Sequence, residues 1–265
     1  MSVYELLYFN SAIAAEKPVS ITNPQVKCPF CDRAGLVNIL AEDGPILLVK
    51  NKYPVLEDTY PTVLVETADC NQEFSEYPKE HLHKVITFGI NKWLELENSK
   101  QFASVIFYKS HGPFSGGTIL HPHMQIIGLK NVNCYKYVLP EHFEGMIIDQ
   151  QAGVEFNLAT KPRTGFTEFN IILPLPQDLA GDAFAEKINQ LADYAQMAAH
   201  YTLHYYHRNC TSYNIFFYHL DNKIMVKVIP RFITSPLFIG FSLPQVAKNH
   251  GEILATLREK YLGQK

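Results

Sequence analysis

The sequence predicts an α+β fold made of two similar halves. Each half places short β-branched runs around one long stretch in which apolar residues recur at helical spacing, at residues 78–101 and 182–206. With 265 residues, of which 47% are hydrophobic, the chain can form one large domain or two of ordinary size. We therefore expect a duplicated α+β unit, preceded by a loosely structured lead-in over residues 1–25.

The first half, residues 26–145, is predicted to contain two strands, a helix, a strand, a turn and a further strand. Pro78 is placed to start the helix, because the N–H that proline lacks is not needed in a first helical turn. A glycine-rich turn, HGPFSGG, precedes the last strand. The four strands are expected at residues 46–50, 62–66, 103–108 and 118–129.

The second half, residues 146–265, repeats this order in outline. Two strands are predicted before the long helix, and a hairpin after it turns across Leu220, Asp221 and Asn222. A last helix is expected over residues 244–261. The predicted strands cover residues 153–158, 166–173, 213–219 and 223–229.

The charge pattern limits the partners. The chain has 23 Lys+Arg against 26 Asp+Glu, which gives a formal charge of −3 with no long basic or acidic run. This argues against charge-driven binding to nucleic acid, but not against a small anionic ligand. The N-terminus lacks a basic signal region, and no apolar stretch approaches the roughly 20 residues that span a bilayer. We expect a soluble, cytoplasmic protein without a membrane partner.

The CPFC motif at Cys28–Cys31 suits a tetrahedral zinc ion, because a short knuckle lets both thiolates converge on one metal. A redox pair and simple core packing are the alternatives, but a thioredoxin-type motif belongs at a strand-to-helix junction, which is not predicted here. Two further ligands are needed for zinc. Four residues are considered for these two positions: Cys70, His81, His83 and His121.

The strand predicted over residues 118–129 contains the polar pattern HPHMQ. Because alternate residues of a strand share a face, His121, His123 and Gln125 should point the same way. A positioned imidazole can attack phosphorus and form a covalent phosphoramidate. The preceding turn could bind the phosphate oxygens through Ser115, Gly116, Gly117 and Thr118. The alternative is a pair of core histidines satisfied by hydrogen bonds.

The segment GPFSGGTIL followed by HPHMQ closely resembles the galactose-1-phosphate uridylyltransferase branch of the histidine triad (HIT) superfamily. The resemblance implies an HIT-like fold of two tandem units, with antiparallel sheets flanked by helices. It makes His123 the nucleophile toward the α-phosphate of a nucleotide donor, Gln125 its phosphate partner and Thr118 a phosphate-contacting hydroxyl. It also makes His121 a zinc ligand, and it implies a homodimer, since the related enzymes are dimers whose sites use both subunits.

The resemblance extends to neighbouring segments. CPFC looks like the family's zinc knuckle, and VKNKYPVL looks like its strand and loop near the nucleoside, which makes Asn51 a candidate base or ribose contact. Cys70 stands where the family usually has a histidine ligand, so the implied Zn²⁺ site is Cys28, Cys31, Cys70 and His121. His81 is the alternative third ligand.

Several positions depart from the family pattern. Ser110 replaces an asparagine just before the phosphate turn and is counted with the substrate-binding residues. Met225 and Lys227 stand where the family has the histidines of a second metal site, so that site is expected to be absent. The family's sugar-recognition segment ends in Gly-Tyr-Glu or Gly-Phe-Glu, whereas FIGFSL gives Phe241 and Ser242 here, so the carboxylate is missing and galactose 1-phosphate is not expected as the acceptor.

The expected function is therefore a nucleotidyltransferase or phosphorylase. It would act on a nucleoside diphosphate compound, such as a nucleotide sugar, through a nucleotidyl-histidine intermediate, and pass the nucleotidyl group to a phosphorylated acceptor. One alternative is a nucleotide hydrolase that uses the same histidine, which the missing carboxylate at Ser242 favours. The other is a zinc-stabilised nucleotide-binding protein without catalysis.

Overall fold

Two units can be separated in the chain. The computed structural model describes residues 6–21, 23, 25–175, 182–207 and 210–263. Unit 1 comprises the described part of the chain up to Glu73 together with Lys84–Tyr137, and unit 2 comprises Phe74–His83 together with the chain from Val138 onward. In the structure, the boundary between the two halves of the chain lies between Tyr137 and Val138. The boundary predicted from the sequence lies after residue 145.

The lead-in is more ordered than expected over its described residues. A short helix, α1 (Ser11–Ala15), is capped by the side chain of Asn10, which accepts hydrogen bonds from two backbone N–H groups of the first turn. The Asn10 N–H donates to the Val55 carbonyl at 2.8 Å, and the Ile21 N–H donates to the Thr118 carbonyl at 3.1 Å. These backbone hydrogen bonds join the lead-in to the rest of unit 1. The spacing of apolar residues along the sequence does not predict them. Residues 1–5, 22 and 24 of the predicted lead-in lie outside the described residues.

Five antiparallel strands form the sheet of unit 1. They are paired in the order β1-β2-β3-β5-β4, so β5 lies between β3 and β4. The strand β1 was not predicted, because its mostly exposed residues show no alternation of apolar and polar side chains. The strands are β1 (Ile39–Asp43), β2 (Ile46–Lys50), β3 (Thr59–Val65), β4 (Ser104–His111) and β5 (His123–Leu129).

The predicted long helix of the first half is α2 (Lys79–Asn98). The Pro78 carbonyl accepts its first hydrogen bond from Leu82 at 2.9 Å, as expected of a proline at a helix start. In unit 1 the helix packs closely on the sheet: Trp93 is fully buried and donates its indole N–H to the Val105 carbonyl at 3.1 Å. A Cβ at Gly89 would lie 2.7 Å from the Phe107 ring, so the close approach requires glycine.

Five antiparallel strands also form the sheet of unit 2, in the order β9-β10-β8-β7-β6. The predicted hairpin is confirmed: β9 and β10 turn at Asp221 and Asn222, whose φ angles of 50° and 56° suit a two-residue hairpin turn. The strands are β6 (Gly145–Gln151), β7 (Val154–Ala159), β8 (Phe169–Pro174), β9 (Tyr213–Leu220) and β10 (Lys223–Pro230).

Three α-helices lie in the described part of the chain after β8. The predicted helix over residues 182–206 is α3 (Asp182–Tyr201), which continues as a wider π-helical turn, Thr202–Tyr206. The predicted C-terminal helix is shorter than expected: α4 (Pro236–Phe241) precedes it, and α5 (His250–Leu257) ends in another π-helical turn. Within the described ranges, no helix combines the length and the apolar character needed to cross a bilayer.

Lys227 occupies the core of unit 2 as a buried ammonium group. Its Nζ lies 2.8 Å from Glu168 Oε2, 2.7 Å from Asn170 Oδ1 and 2.7 Å from the His142 carbonyl oxygen, and it stands 5.1 Å from the centre of the Phe143 ring. An ammonium has three hydrogens to donate, so these three acceptors satisfy it. Lys227 stands where the family has a histidine of a second metal site. In this chain the position therefore carries a buried positive charge.

Glu168 is satisfied in the same way. Its carboxylate accepts hydrogen bonds from the Arg163 N–H at 2.9 Å, the Thr164 N–H at 2.7 Å and the Thr164 hydroxyl at 2.8 Å. Burial by itself raises the pKa of Glu168, but Lys227 and these donors outweigh it and hold the pKa below its ordinary value.

Candidate active site

A cavity of about 670 Å³ opens in unit 1, a size common among sites for small organic ligands. Six of the eight residues predicted to act on or bind the substrate line it: Asn51, Gly116, Gly117, Thr118, His123 and Gln125. They come from the end of β2, the glycine-rich turn and β5. The fold therefore brings together residues as far apart in the sequence as Asn51 and Gln125.

His123 is the first residue of β5, and its ring is held in one orientation. Nδ1 lies 2.8 Å from the backbone carbonyl oxygen of His121. Because a carbonyl only accepts hydrogen bonds, Nδ1 carries the proton and Nε2 keeps its lone pair. Burial, followed by the nearby positive charge of Lys109, lowers the pKa of His123 to about 4, so the ring is neutral. The geometry thus presents an unprotonated Nε2 on a residue that lines the cavity.

His121 lies outside the strand that contains His123, contrary to expectation. The strand begins at His123, and the residues from Thr118 to Pro122 are irregular, so the alternation of a strand does not reach His121. Pro122 has no N–H to donate to a sheet, although its carbonyl accepts the Glu66 N–H at 3.1 Å. His123 and Gln125 lie two residues apart on the strand, and both line the cavity.

The glycine-rich turn is built by hydrogen bonds among its own residues. The Ser115 hydroxyl donates to the Gly112 carbonyl at 2.7 Å and accepts the Gly117 N–H at 3.4 Å, and the Ser110 hydroxyl donates to the Ser115 carbonyl at 3.4 Å. Gly116 has a φ of 85°, which favours glycine. Ser115 therefore lies within the turn and Ser110 near the end of β4, and neither of these predicted substrate contacts is among the residues that line the cavity.

Asn51 directly follows β2 and is fixed by its own backbone. Its side-chain oxygen accepts the Tyr53 N–H at 2.8 Å, and its N–H donates to the Pro61 carbonyl at 2.9 Å. An asparagine that bonds the backbone two residues ahead forms a tight turn at the start of a loop. The side chain is therefore held in place at the cavity wall before any ligand binds.

Sequence reasoning missed the apolar wall and two basic residues of the cavity, Lys17 and Lys27. Phe30 lies between the two zinc-knuckle cysteines in sequence, and its ring centre is 5.7 Å from that of His121 and 5.6 Å from that of His123. Lys17, from the lead-in, is half-buried at the wall, and burial lowers its pKa. Four lysines and one aspartate line the cavity, a balance that favours an anionic ligand.

Beside the cavity, Lys109 forms a buried ion pair with Glu66. Nζ of Lys109 is 2.5 Å from Oε1 of Glu66, and both side chains are almost completely inaccessible. The ammonium of Lys109 is thus paired with the Glu66 carboxylate, and Lys109 does not line the cavity. Its positive charge still contributes to the low pKa of His123.

The predicted metal ligands Cys28, Cys31, Cys70 and His121 form one cluster, with all four ligand atoms within 4.8 Å of one another. Sγ of Cys28 and Sγ of Cys31 lie 3.5 and 3.6 Å from Nδ1 of His121. A tetrahedral zinc with ordinary bond lengths separates sulfur and nitrogen ligands by about 3.6 Å. The four residues therefore fit a zinc ion.

The surroundings of the cluster also suit a cation. The His121 Nε2–H donates to the Thr67 carbonyl at 2.9 Å, which leaves Nδ1 facing the thiols, and Arg33 donates to the same carbonyl. Burial and the neighbouring thiols raise the pKa of Cys70 to about 12, so three thiolates need a positive charge among them. The alternative ligand His81 packs edge-on against Tyr77 in unit 2, with ring centres 4.8 Å apart.

Two family descriptions together cover almost the whole chain. Residues 9–132 match the N-terminal domain of DUF4931, a domain of unknown function, and residues 135–262 match its C-terminal domain. The crystal structure of a DUF4931 family protein from Bacillus cereus ATCC 10987 is 44% identical and has a TM-score of 0.73, covering 83% of this chain and 98% of that one. The chain belongs to the DUF4931 family. No curated protein sequence matches it.

More distant structures share the fold of this DUF4931 protein. A uridylyltransferase structure is 16% identical with a TM-score of 0.68, covering 90% of this chain and 94% of that one. An ADP-glucose phosphorylase from Arabidopsis thaliana, with bound ADP-glucose, is 13% identical with a TM-score of 0.65, covering 93% of each chain. The predicted fold, two α+β units with antiparallel sheets flanked by helices, is confirmed, and this chain resembles the uridylyltransferase and phosphorylase structures in fold.

Proposed function

We propose that this DUF4931 protein is a nucleotidyltransferase or phosphorylase that acts on a nucleoside diphosphate compound, such as a nucleotide sugar, with His123 as the nucleophile. The observation that carries the proposal is the fixed ring of His123. Its Nδ1–H is bonded to the His121 carbonyl at 2.8 Å, so Nε2 holds a lone pair at the wall of a cavity with four lysines.

In the first step, Nε2 of His123 attacks the α-phosphorus of the donor. The P–N bond forms as the bond from the α-phosphorus to the bridging oxygen breaks, and the leaving group departs as a phosphate ester that keeps the bonding electrons. The modified ring carries a positive charge, and the Nδ1–H bond to the His121 carbonyl stabilises it. Negative charge on the non-bridging oxygens is offset by Gln125, by backbone N–H groups of the glycine-rich turn and by Lys17.

In the second step, an oxygen of the acceptor phosphate attacks the same phosphorus. The P–N bond breaks, its electron pair returns to Nε2, and His123 is again neutral. The apolar surfaces of Phe30 and Val63 line the same cavity and suit a nucleoside, and Asn51, which also lines it, would bond the base or ribose. Cys28, Cys31, Cys70 and His121 would hold zinc, which supplies a structural cross-link and no reacting atom.

Trapping the intermediate tests this proposal. Purified protein is incubated with α-³²P-labelled UDP- and ADP-sugars without acceptor, and the denatured protein is analysed for an acid-labile, alkali-stable label. We expect a label in the wild type and in the control His219→Gln, whose histidine lies on β9 of unit 2, and none in His123→Gly. A label that persists in His123→Gly, or no label over the whole donor panel, contradicts the proposal.

Adding acceptors separates the reactions. Transfer to a sugar phosphate identifies a transferase, and transfer to inorganic phosphate identifies a phosphorylase. Release of free nucleotide at the same rate without any acceptor would identify the hydrolase alternative. Calorimetric binding of a nucleotide without label or turnover would identify the non-catalytic alternative.

A further inference from the structure

Two histidines and one glutamate converge at the surface of unit 2, and no step of the proposed reaction uses them. Glu76 ends the short 3₁₀ turn Phe74–Glu76, His200 lies in the last turn of α3, and His204 lies in the π-helical turn that follows. Nε2 of His200 is 3.4 Å, and Nε2 of His204 is 3.2 Å, from the same oxygen, Oε1 of Glu76. One ligand atom from each of the three residues lies within 4.8 Å of the other two.

These distances match a metal site better than a pair of strong hydrogen bonds. Nitrogen and oxygen ligands bound at 2.0–2.1 Å to a tetrahedral ion lie about 3.3 Å from one another. Charge-assisted hydrogen bonds between a histidine and a carboxylate are shorter, at roughly 2.7–2.9 Å. The same unit offers an internal comparison, because Nε2 of His83 lies 2.8 Å from Oδ1 of Asp193. The Glu76 contacts are longer than this bond by the amount that a shared ion would require.

A neighbouring tyrosine orients one of the two rings. Nδ1 of His200 is 2.6 Å from the hydroxyl of Tyr261, and burial raises the pKa of that phenol, so it is neutral. A histidine that binds a metal through Nε2 keeps its proton on Nδ1 and gives it to a second partner. The Tyr261 oxygen is such a partner.

The local backbone and exposure also suit an ion. π-Helical turns occur frequently at functional sites, and this one places the rings of His200 and His204 with their centres 4.2 Å apart. The side chains of Glu76, His200 and His204 are 59%, 28% and 47% exposed, so solvent reaches the centre and can provide a fourth ligand.

We propose that Glu76, His200 and His204 form a metal site for a divalent transition ion, with Zn²⁺ the best match to two imidazoles, one carboxylate and an open position. The ion would join the 3₁₀ turn to the end of α3, and through Tyr261 to the C-terminal π-helical turn. The site differs in chemistry from the thiolate cluster of unit 1. It also uses none of the positions at which the family's second metal was considered, Met225 and Lys227.

Metal stoichiometry and cobalt spectra test the proposal independently of enzyme activity. After removal of metals, the full chain is dialysed against micromolar Zn²⁺ and its zinc content is measured. We expect two ions per chain in the wild type and in the control His219→Asn, and one ion in His204→Asn, in Glu76→Gln and in Cys70→Ser. Co²⁺ bound at the proposed site should add absorption without the thiolate charge-transfer band that the cysteine cluster gives.

The experiment tests the proposed site and the thiolate cluster separately. A wild-type chain that binds one ion, which Cys70→Ser removes, overturns the proposal and leaves the thiolate cluster intact. A second ion that remains in the double variant His200→Asn/His204→Asn also overturns it. Because each variant is measured by its remaining ion as well as by its melting temperature, a folding defect is distinguished from the loss of a ligand.

Discussion

Replacing Lys227 by methionine should destabilise unit 2 by about 3 kcal/mol. Removing one partner of a buried ion pair costs about 3–5 kcal/mol, because the other charge is left uncompensated. Here the lower end applies, since Glu168 keeps three hydrogen-bond donors from Arg163 and Thr164 after the ammonium is gone. Glu168→Gln should cost more, because the ammonium of Lys227 then stays buried without a negative charge beside it, although the His142 carbonyl, Asn170 and the face of Phe143 remain.

Urea unfolding followed by far-ultraviolet circular dichroism measures this difference. With a slope of about 2 kcal/mol per molar urea, a loss of about 3 kcal/mol lowers the midpoint by about 1.5 M. The control Lys223→Met changes an exposed lysine on the same strand and should stay within about 0.5 kcal/mol of the wild type.

The double variant Lys227→Met/Glu168→Gln decides whether the two charges act as a pair. Its cost should be clearly below the sum of the two single variants, because neither charge is then left alone. Additive costs, or a Lys227→Met variant as stable as the control, would refute the reasoning.

The other predictions concern acid stability, metal and ligand binding. Because the folded pKa of Glu168 is below its ordinary value, its ionised form stabilises the protein above about pH 4.5, and this contribution is lost as the pH falls further. The midpoint difference between the wild type and Glu168→Gln should therefore shrink between pH 7 and pH 3, and a constant difference would contradict it. Chelators should remove zinc and lower the melting temperature, and Cys70→Ser should lose zinc where Cys134→Ser does not; equal zinc content in both would argue against the cluster. Lys17→Met should weaken calorimetric binding of UDP or ADP by about 10- to 100-fold, the worth of one charge-assisted hydrogen bond, and unchanged affinity would exclude a contact.

The sequence predicts the elements whose patterns arise from burial. The helices α2 and α3 bury one long face each, and β2 is buried along most of its length, so their spacing alone identifies them. The strands β1 and β6 are largely exposed and carry no such signal. These two strands form because they pair with neighbouring strands, and the local sequence does not predict that pairing.

The candidate site shows the same limit. The spacing of Cys28 and Cys31 predicts a metal knuckle, and the HPHMQ pattern identifies His123 and Gln125 as candidates, because each set of residues is local in sequence. The family resemblance, and not the spacing, pointed to Cys70. Lys17 lines the cavity in a lead-in whose Ile21 N–H donates to the Thr118 carbonyl, and no local sequence pattern predicts such a long-range contact.

His121 serves two neighbours through two different parts of the same residue. Its imidazole belongs to the thiolate cluster, while its peptide carbonyl fixes the proton on Nδ1 of His123. The cluster and the nucleophile are therefore connected through the backbone of a single residue. Oxidation of the thiols in the cluster should therefore lower the rate of nucleotidyl transfer by His123 and leave the affinity for the nucleoside unchanged. The state of the cysteines would then control turnover and not binding.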